Sequence, residues 1–178
     1  MAKTPPDPTA GPIEPAGRPR ILVATRSPHK LRELRQLLRP ARAELVSLAE
    51  LGLTDDPVED RTTFEGNAAL KARYYARRTG LPTLADDSGL EVEALGGAPG
   101  VRTRRFAGPD PTDEENNRRL LELLGDRPPE ERRARYVAVL ALALPHGTSP
   151  RGGIPVRLAR GTFRGRIAVA PRGSGGFG

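Results

Sequence analysis

Leu84-Ala85-Asp86-Asp87-Ser88-Gly89-Leu90 sets two adjacent carboxylates at the end of a short apolar run, and Gly96-Gly97-Ala98-Pro99-Gly100 follows a few residues later. An apolar run seeks a buried position, and burying paired negative charge is costly unless something offsets it. A divalent metal ion, or a proton held by a reacting water, would do so. The same residues also make good turn chemistry, since Asp, Ser and Gly all favour turns. The local sequence therefore supports two readings of Asp86 and Asp87: a pair serving metal and water, or a turn.

A second constraint comes from Ile21-Leu22-Val23-Ala24, an apolar run suited to a buried strand, which leads into Thr25-Arg26-Ser27-Pro28-His29-Lys30. Ser27 is placed to cap a helix, and Pro28 suits its first position. Leu31, Leu34, Leu37 and Leu38 then recur at helical spacing, and Pro40 stops the pattern. Hydroxyls, cationic groups and free backbone N–H groups at a helix start can cradle a triphosphate. The plainer alternative is an ordinary strand–helix loop, because the segment lacks the glycines of a Walker loop.

Ala43–Leu48 is expected to form a strand, and the acidic stretch from Glu50 to Arg61, which contains Glu59, reads as a loop. The pattern predicts a helix over Thr63–Arg78, ended by Gly80. Asn67 and Lys71 lie four residues apart on it and can face one cleft. Thr83–Ala85 reads as a short strand before the aspartates. Leu90–Leu95 alternates strictly, as a half-exposed strand does. Thr112–Leu124 carries a capping box at Thr112 and Glu115. Arg135–Leu144 is a further strand, and Val156–Gly161 with Arg164–Ala170 read as strands of a hairpin or meander. Residues 1–19 are rich in Pro, Gly and Ala and are expected to be a disordered tail ahead of one domain over 20–178.

At 178 residues the chain has room for one real core. It has no cysteine, and its two histidines, His29 and His146, offer no metal-ligand spacing. No apolar run approaches the roughly 20 residues that span a bilayer. The N-terminus lacks a secretory h-region, so a cytoplasmic protein without membrane partners is expected. The net charge of +7 is spread along the chain and carried almost wholly by arginine. That distribution argues against a nucleic-acid stripe, while a basic cleft would attract a small polyanionic substrate.

Taken together, the segments ILVATRSPHKLRELRQLL, VEDRTTFEGNAALKAR, LADDSGLEVEALGGAPGVRTRRFAG, PTDEENNRRLLELL, RYVAVLALA and GTFRGRIAVAPRGSGGFG resemble the Ham1-like, or inosine triphosphatase-like, nucleotide pyrophosphatases. The resemblance runs from about Ile21 to Gly178. It implies a mixed α/β fold, with a long curved central sheet flanked by helices and two lobes around an active-site cleft. It also implies a homodimer and Mg²⁺-dependent hydrolysis of purine nucleoside triphosphates such as ITP, dITP and XTP to the monophosphate and pyrophosphate. Thr25, Arg26, Ser27, Pro28, His29 and Lys30 would form the phosphate loop. Asp87 would be general base and metal ligand, with Asp86 beside it and Glu59 completing the metal site. Lys71 would reach the phosphates, Ser88 would contact substrate, and Phe177 and Gly178 would begin a motif whose Phe stacks on the base.

The loop departs from the family pattern in carrying Ser27 where Asn is usual. The resemblance also implies further C-terminal elements beyond Gly178, so a C-terminally truncated domain is expected. A Maf-like pyrophosphatase of other specificity is the rival enzyme reading. A basic nucleic-acid-binding module is the rival of another class.

Overall fold

Five strands, β1 (Arg20–Ala24), β2 (Glu44–Ser47), β3 (Thr83–Val92), β4 (Arg133–Ala143) and β5 (Val156–Arg166), form one sheet in a computed structural model that describes residues 18–145 and 153–172. Their order across the sheet is β2-β1-β3-β4-β5. β1 runs parallel to β2 and to β3, while β4 runs antiparallel to β3 and to β5. Among the described residues there are three α-helices: α1 (Pro28–Leu37), α2 (Phe64–Thr79) and α3 (Asp113–Leu124).

The helix ends follow the local chemistry read from the sequence. Ser27 caps α1, its hydroxyl accepting from the Lys30 N–H, and Pro28 takes the first position. Thr63 caps α2 in the same way, and Gly80 ends it in the left-handed conformation at φ 68°. Both halves of the capping box at Thr112 and Glu115 are formed.

The helices divide between the two faces of the sheet. On one face α2 packs through Phe64, Ala68, Ala72, Tyr75 and Ala76 against Leu22, Ala24, Ala85, Val137, Val139 and Ala141. On the other, α1 packs through Leu34 against Val23 and Leu84. Toward the far end of that second face, α3 covers Val92 and Ala134 with Leu120 and Leu124. β1 is thus covered on both sides, as a parallel strand requires, and its Leu22 and Val23 are wholly buried.

Three expected elements differ. The aspartates do not form a turn: Asp86, Asp87 and Ser88 lie within one continuous strand, paired with Leu140, Val139 and Ala138 of β4. The antiparallel ladder overrides the turn preference of Asp-Asp-Ser-Gly. The alternating run beginning at Leu90 stops being a strand at Val92, and Glu93–Leu95 form a 3₁₀ turn. There the backbone closes on itself, with Gly97 N–H donating to Val92 O and Val92 N–H to Ala98 O. Finally, β5 is a single strand running through Gly161, because β4 offers it a partner along its whole length, and Ile167–Ala170 fall outside it. Residues 1–17, His146, Phe177 and Gly178 lie outside the described residues.

The Leu95–Gly100 turn returns the chain so that the 3₁₀ segment Gly100–Arg105 packs against Gly89 of β3. A Cβ on Gly89 would lie 2.6 Å from the Gly100 carbonyl oxygen and 3.0 Å from the Phe64 ring, and closer still to Thr103 Oγ1. Backbone stands in the way, so no rotamer change relieves the clash. Gly89→Ala is expected to destabilise the fold by about 1–3 kcal/mol, the usual cost of overpacking. A urea titration reads this as a lowered midpoint with little change in slope. An unchanged midpoint would show that the 100–105 segment moves aside freely.

Candidate active site

β1 ends at Ala24 and pairs with β3 only as far as Ala85, so β3 runs on from Asp86 with an edge that β1 does not cover. Chain leaves β1 through α1 on one face and enters β3 from α2 on the other. Strand ends at such a divergence open a crevice, the favoured ligand position in open α/β sheets. Side chains alternate along β3, so Asp87 faces the α2 side while Asp86 and Ser88 face the α1 side.

On the α2 side, Asn67 is buried and its amide donates to Asp87 Oδ2 at 3.1 Å. The amide orientation is fixed by its other end, where Oδ1 accepts the Arg61 N–H at 3.0 Å. Lys71, one turn further along α2, pairs with Glu59 at 2.7 Å and donates to the Asp86 carbonyl at 3.1 Å on the uncovered edge. Glu59, Asn67, Lys71 and Asp87 are therefore brought together. The Asp87 carboxyl is pushed up from 3.8 to about 6, chiefly by burial and in smaller part by the nearby charge of Glu59. The Asn67 amide, the Lys71 ammonium and the Ser88 N–H pull the other way without restoring the ordinary value.

On the α1 side, Lys30 Nζ lies 2.5 Å from Asp86 Oδ2 and 2.9 Å from Ser88 Oγ. Ser88 Oγ is 3.4 Å from the Tyr136 hydroxyl. Tyr136 in turn borders a cavity of about 340 Å³ beneath α3, lined also by Leu90, Phe106, Leu120 and Arg172. The two adjacent aspartates thus serve opposite faces of one strand, each with its own lysine nearby. Among the described residues no group of three or more His, Asp or Glu side chains is placed to hold a metal ion.

The remaining loop residues are more locally engaged. Thr25 Oγ1 accepts the Ser27 N–H at 3.2 Å, and His29 Nδ1 lies 2.9 Å from Arg32. Arg26 turns away from the loop to Asp56, at 2.6 Å. Tyr136 and Thr103, whose hydroxyl accepts the Leu90 N–H at 2.8 Å on the β3 edge, belong to this region but were not singled out from sequence. Only the β3–β4 register and the return of the 100–105 segment bring them there.

The sequence profile of the Ham1 family matches residues 21–178. The dITP/XTP pyrophosphatase of Thermus thermophilus is 48% identical over 159 residues, covering 89% of this chain and 72% of that protein. The dITP/XTP pyrophosphatase of Shigella flexneri is 44% identical over 159 residues, covering 89% and 78%. Among solved structures, a Ham1 protein from Coxiella burnetii superimposes with a TM-score of 0.78 at 38% identity, covering 90% of this chain and 78% of that one. A nucleoside-triphosphatase / dITP/XTP pyrophosphatase from Mycobacterium abscessus gives 0.75 at 41% identity, covering 89% and 80%.

The raised Asp87 value has a consequence for stability. The folded chain holds this proton to about pH 6, whereas the unfolded chain releases it near 3.8. The Asp87 contribution is thus most favourable below about pH 4 and is lost as pH rises through 6. Asp87→Asn removes that loss and is expected to stabilise the metal-free protein at pH 7 by on the order of 1–3 kcal/mol. The gain should vanish near pH 4. Urea unfolding in chelator at the two pH values checks it, and a variant less stable than the parent at pH 7 would contradict it.

Proposed function

Because this chain belongs to the Ham1 family, we propose that it hydrolyses purine nucleoside triphosphates bearing hypoxanthine or xanthine, namely ITP, dITP and XTP, to the monophosphate and pyrophosphate. One observation carries the reading at the level of chemistry: a half-buried carboxylate, Asp87, raised to about 6 beside Glu59, on a strand that Lys30 and Lys71 reach from opposite faces. The family match favours this activity over the Maf-like alternative. The dispersed arginines and the carboxylate-lined cleft give no support to a nucleic-acid module.

In this reading Asp87 accepts a proton from the water that attacks the α-phosphorus. A carboxylate poised near neutrality is matched to that task, being largely ionised at pH 7 yet a better base than an exposed aspartate. Asn67 holds the carboxylate in one orientation through its doubly fixed amide. Lys30 and Lys71 supply positive charge toward the departing pyrophosphate. Ser27, with Thr25 and the start of α1, offers N–H and hydroxyl groups to phosphate oxygens. Ser88 lies between the phosphate end and the Tyr136 cavity.

The donor set fits a hard divalent ion. Glu59 and Asp87 are oxygen donors on the same side of β3, and Mg²⁺ commonly takes one or two carboxylates, with waters and phosphate oxygens completing its shell. Asp86 faces the other side and is paired with Lys30, so Glu59 and Asp87 are the residues that would hold the ion. When bound, Mg²⁺ would offset the charge of the phosphates and polarise them toward attack. A homodimer, a cytoplasmic location and stacking of the base on Phe177 beside Gly178 belong to the same proposal. Among the described residues no helix is long and apolar enough to cross a membrane.

Pyrophosphate release from ITP and XTP, compared with ATP and GTP at equal concentration, tests the reading directly. Comparable rates on all four would defeat the proposed selectivity. Asp87→Asn is expected to lower turnover by roughly 10²–10⁴ with substrate binding better preserved. Near-normal turnover would remove Asp87 as the base. Glu59→Gln is expected to raise the Mg²⁺ concentration needed for half-maximal activity. An unchanged Mg²⁺ titration would return Glu59 to the role of a solvated loop residue.

A further inference from the structure

We propose that Arg26 is a positioning residue that holds the Glu59-bearing segment through Asp56, and not a ligand of phosphate. Its guanidinium is spent on three residues within the stretch 53–56. Nε donates to Asp56 Oδ2 at 2.6 Å, Nη1 to Leu53 O at 3.1 Å and Nη2 to Asp55 O at 3.1 Å. All three guanidinium nitrogens are thus engaged by this segment, where a phosphate ligand would turn a pair of them toward the anion.

The segment that Arg26 grips is the one that delivers Glu59. Asp56 Oδ1 accepts from the Tyr75 hydroxyl at 2.6 Å, and the same hydroxyl lies 2.7 Å from Asp55 O. Asp55 is held in addition by Tyr74 and Arg78. Asn67, Lys71 and Tyr75 are spaced four apart on α2 and form one stripe. They meet the segment at Arg61 N–H, at Glu59 and at Asp56 in turn. The stripe thus ties the segment to α2 at three points, beside the Tyr74 and Arg78 contacts to Asp55, and Arg26 ties its near end to the start of the β1–α1 loop.

The middle tie, Lys71 to Glu59, is the one that must loosen for Glu59 to serve a cation. The outer ties then fix where Glu59 sits. Both partners of the Arg26–Asp56 pair are about half exposed, and such pairs add little to global stability. The contact therefore acts on the placement of a carboxylate more than on the folding free energy.

This inference rests on the reading of Glu59 as a metal ligand, and the experiment separates the two. Arg26→Gln, Asp56→Asn, their double variant, Arg26→Lys and Tyr75→Phe are compared by amide hydrogen exchange across residues 53–61 of the metal-free protein. Mg²⁺ binding is measured by calorimetry without nucleotide, and KM and kcat for ITP at saturating Mg²⁺. Arg26→Gln and Asp56→Asn should each speed exchange in that segment and weaken Mg²⁺ binding about 10-fold, the scale seen when a group supporting a metal ligand is lost. The double variant should be no worse than the more affected single one, since both act through one contact. Arg26→Lys should fail to rescue, because an ammonium lacks the fork. Tyr75→Phe keeps its ring in the core and should shift exchange in the same direction. A KM raised about 10-fold at saturating Mg²⁺ in Arg26→Gln but not in Asp56→Asn, with exchange unchanged, would overturn the proposal and make Arg26 a phosphate ligand. Absence of Mg²⁺ binding by the parent would sink the metal reading alone. The exchange comparison still decides the clamp, and unchanged exchange in both single variants refutes it.

Discussion

The site depends on a length mismatch between two neighbouring strands. β1 ends at Ala24 while β3 continues to Val92, so one edge of β3 is left to find partners outside the sheet. Unpaired backbone groups near a core must be satisfied, and the groups that do so here are functional side chains or their neighbours. The Asp86 carbonyl takes Lys71, the Ser88 N–H takes the Asp87 carboxylate, and the Leu90 N–H takes Thr103. Completing the strand's hydrogen bonding thereby carries Lys71 into the crevice and closes the 100–105 segment over Gly89.

Strand alternation settles how two adjacent carboxylates coexist. In a turn they would share one patch of solvent and repel each other. On a strand they point to opposite faces, where each meets a different environment. Asp86 meets the Lys30 ammonium and is compensated directly. Asp87 is desolvated, with Lys71 bonded to Glu59 and to backbone, so its charge is only partly offset. Sequence neighbours thus become chemically unlike: one carboxylate is committed to an ion pair, and the other is held at a proton affinity useful near neutral pH.

What the sequence made legible was local, and what it concealed was register. The caps at Ser27, Thr63 and Thr112, the stop at Gly80 and the shared face of Asn67 and Lys71 depend on residues within a turn or two of each other. Periodicity and cap chemistry suffice for these. The fate of Asp86-Asp87-Ser88-Gly89 depends on Leu140, Val139, Ala138 and Val137, some fifty positions away, and no local signal reports that pairing. Gly161 misled in the same way, since it interrupts a strand pattern but not the ladder to β4. The approach of Tyr136 to Ser88 and of Arg26 to Asp56 likewise follows from tertiary placement alone. Grouping Glu59 with Asp87 came from family resemblance, because an isolated acidic loop gives no reason to prefer Glu59 over Asp55, Asp56 or Asp60.

The arrangement of α2 shows why the site can be built on so short a lever. Ala68, Ala72 and Ala76 recur every four residues and are wholly buried against the sheet. With only methyl groups between them, the helix axis approaches the strands closely. Asn67, Lys71 and Tyr75 precede those alanines by one residue each, so the polar stripe lies directly beside the contact stripe. From there an amide reaches Asp87, an ammonium reaches the edge of β3, and a phenol reaches the segment that bears Glu59. A larger residue at Ala68 or Ala72 would lift the helix and withdraw the neighbouring polar groups together. The packing of small residues and the chemistry of the crevice are therefore two faces of the same helical repeat.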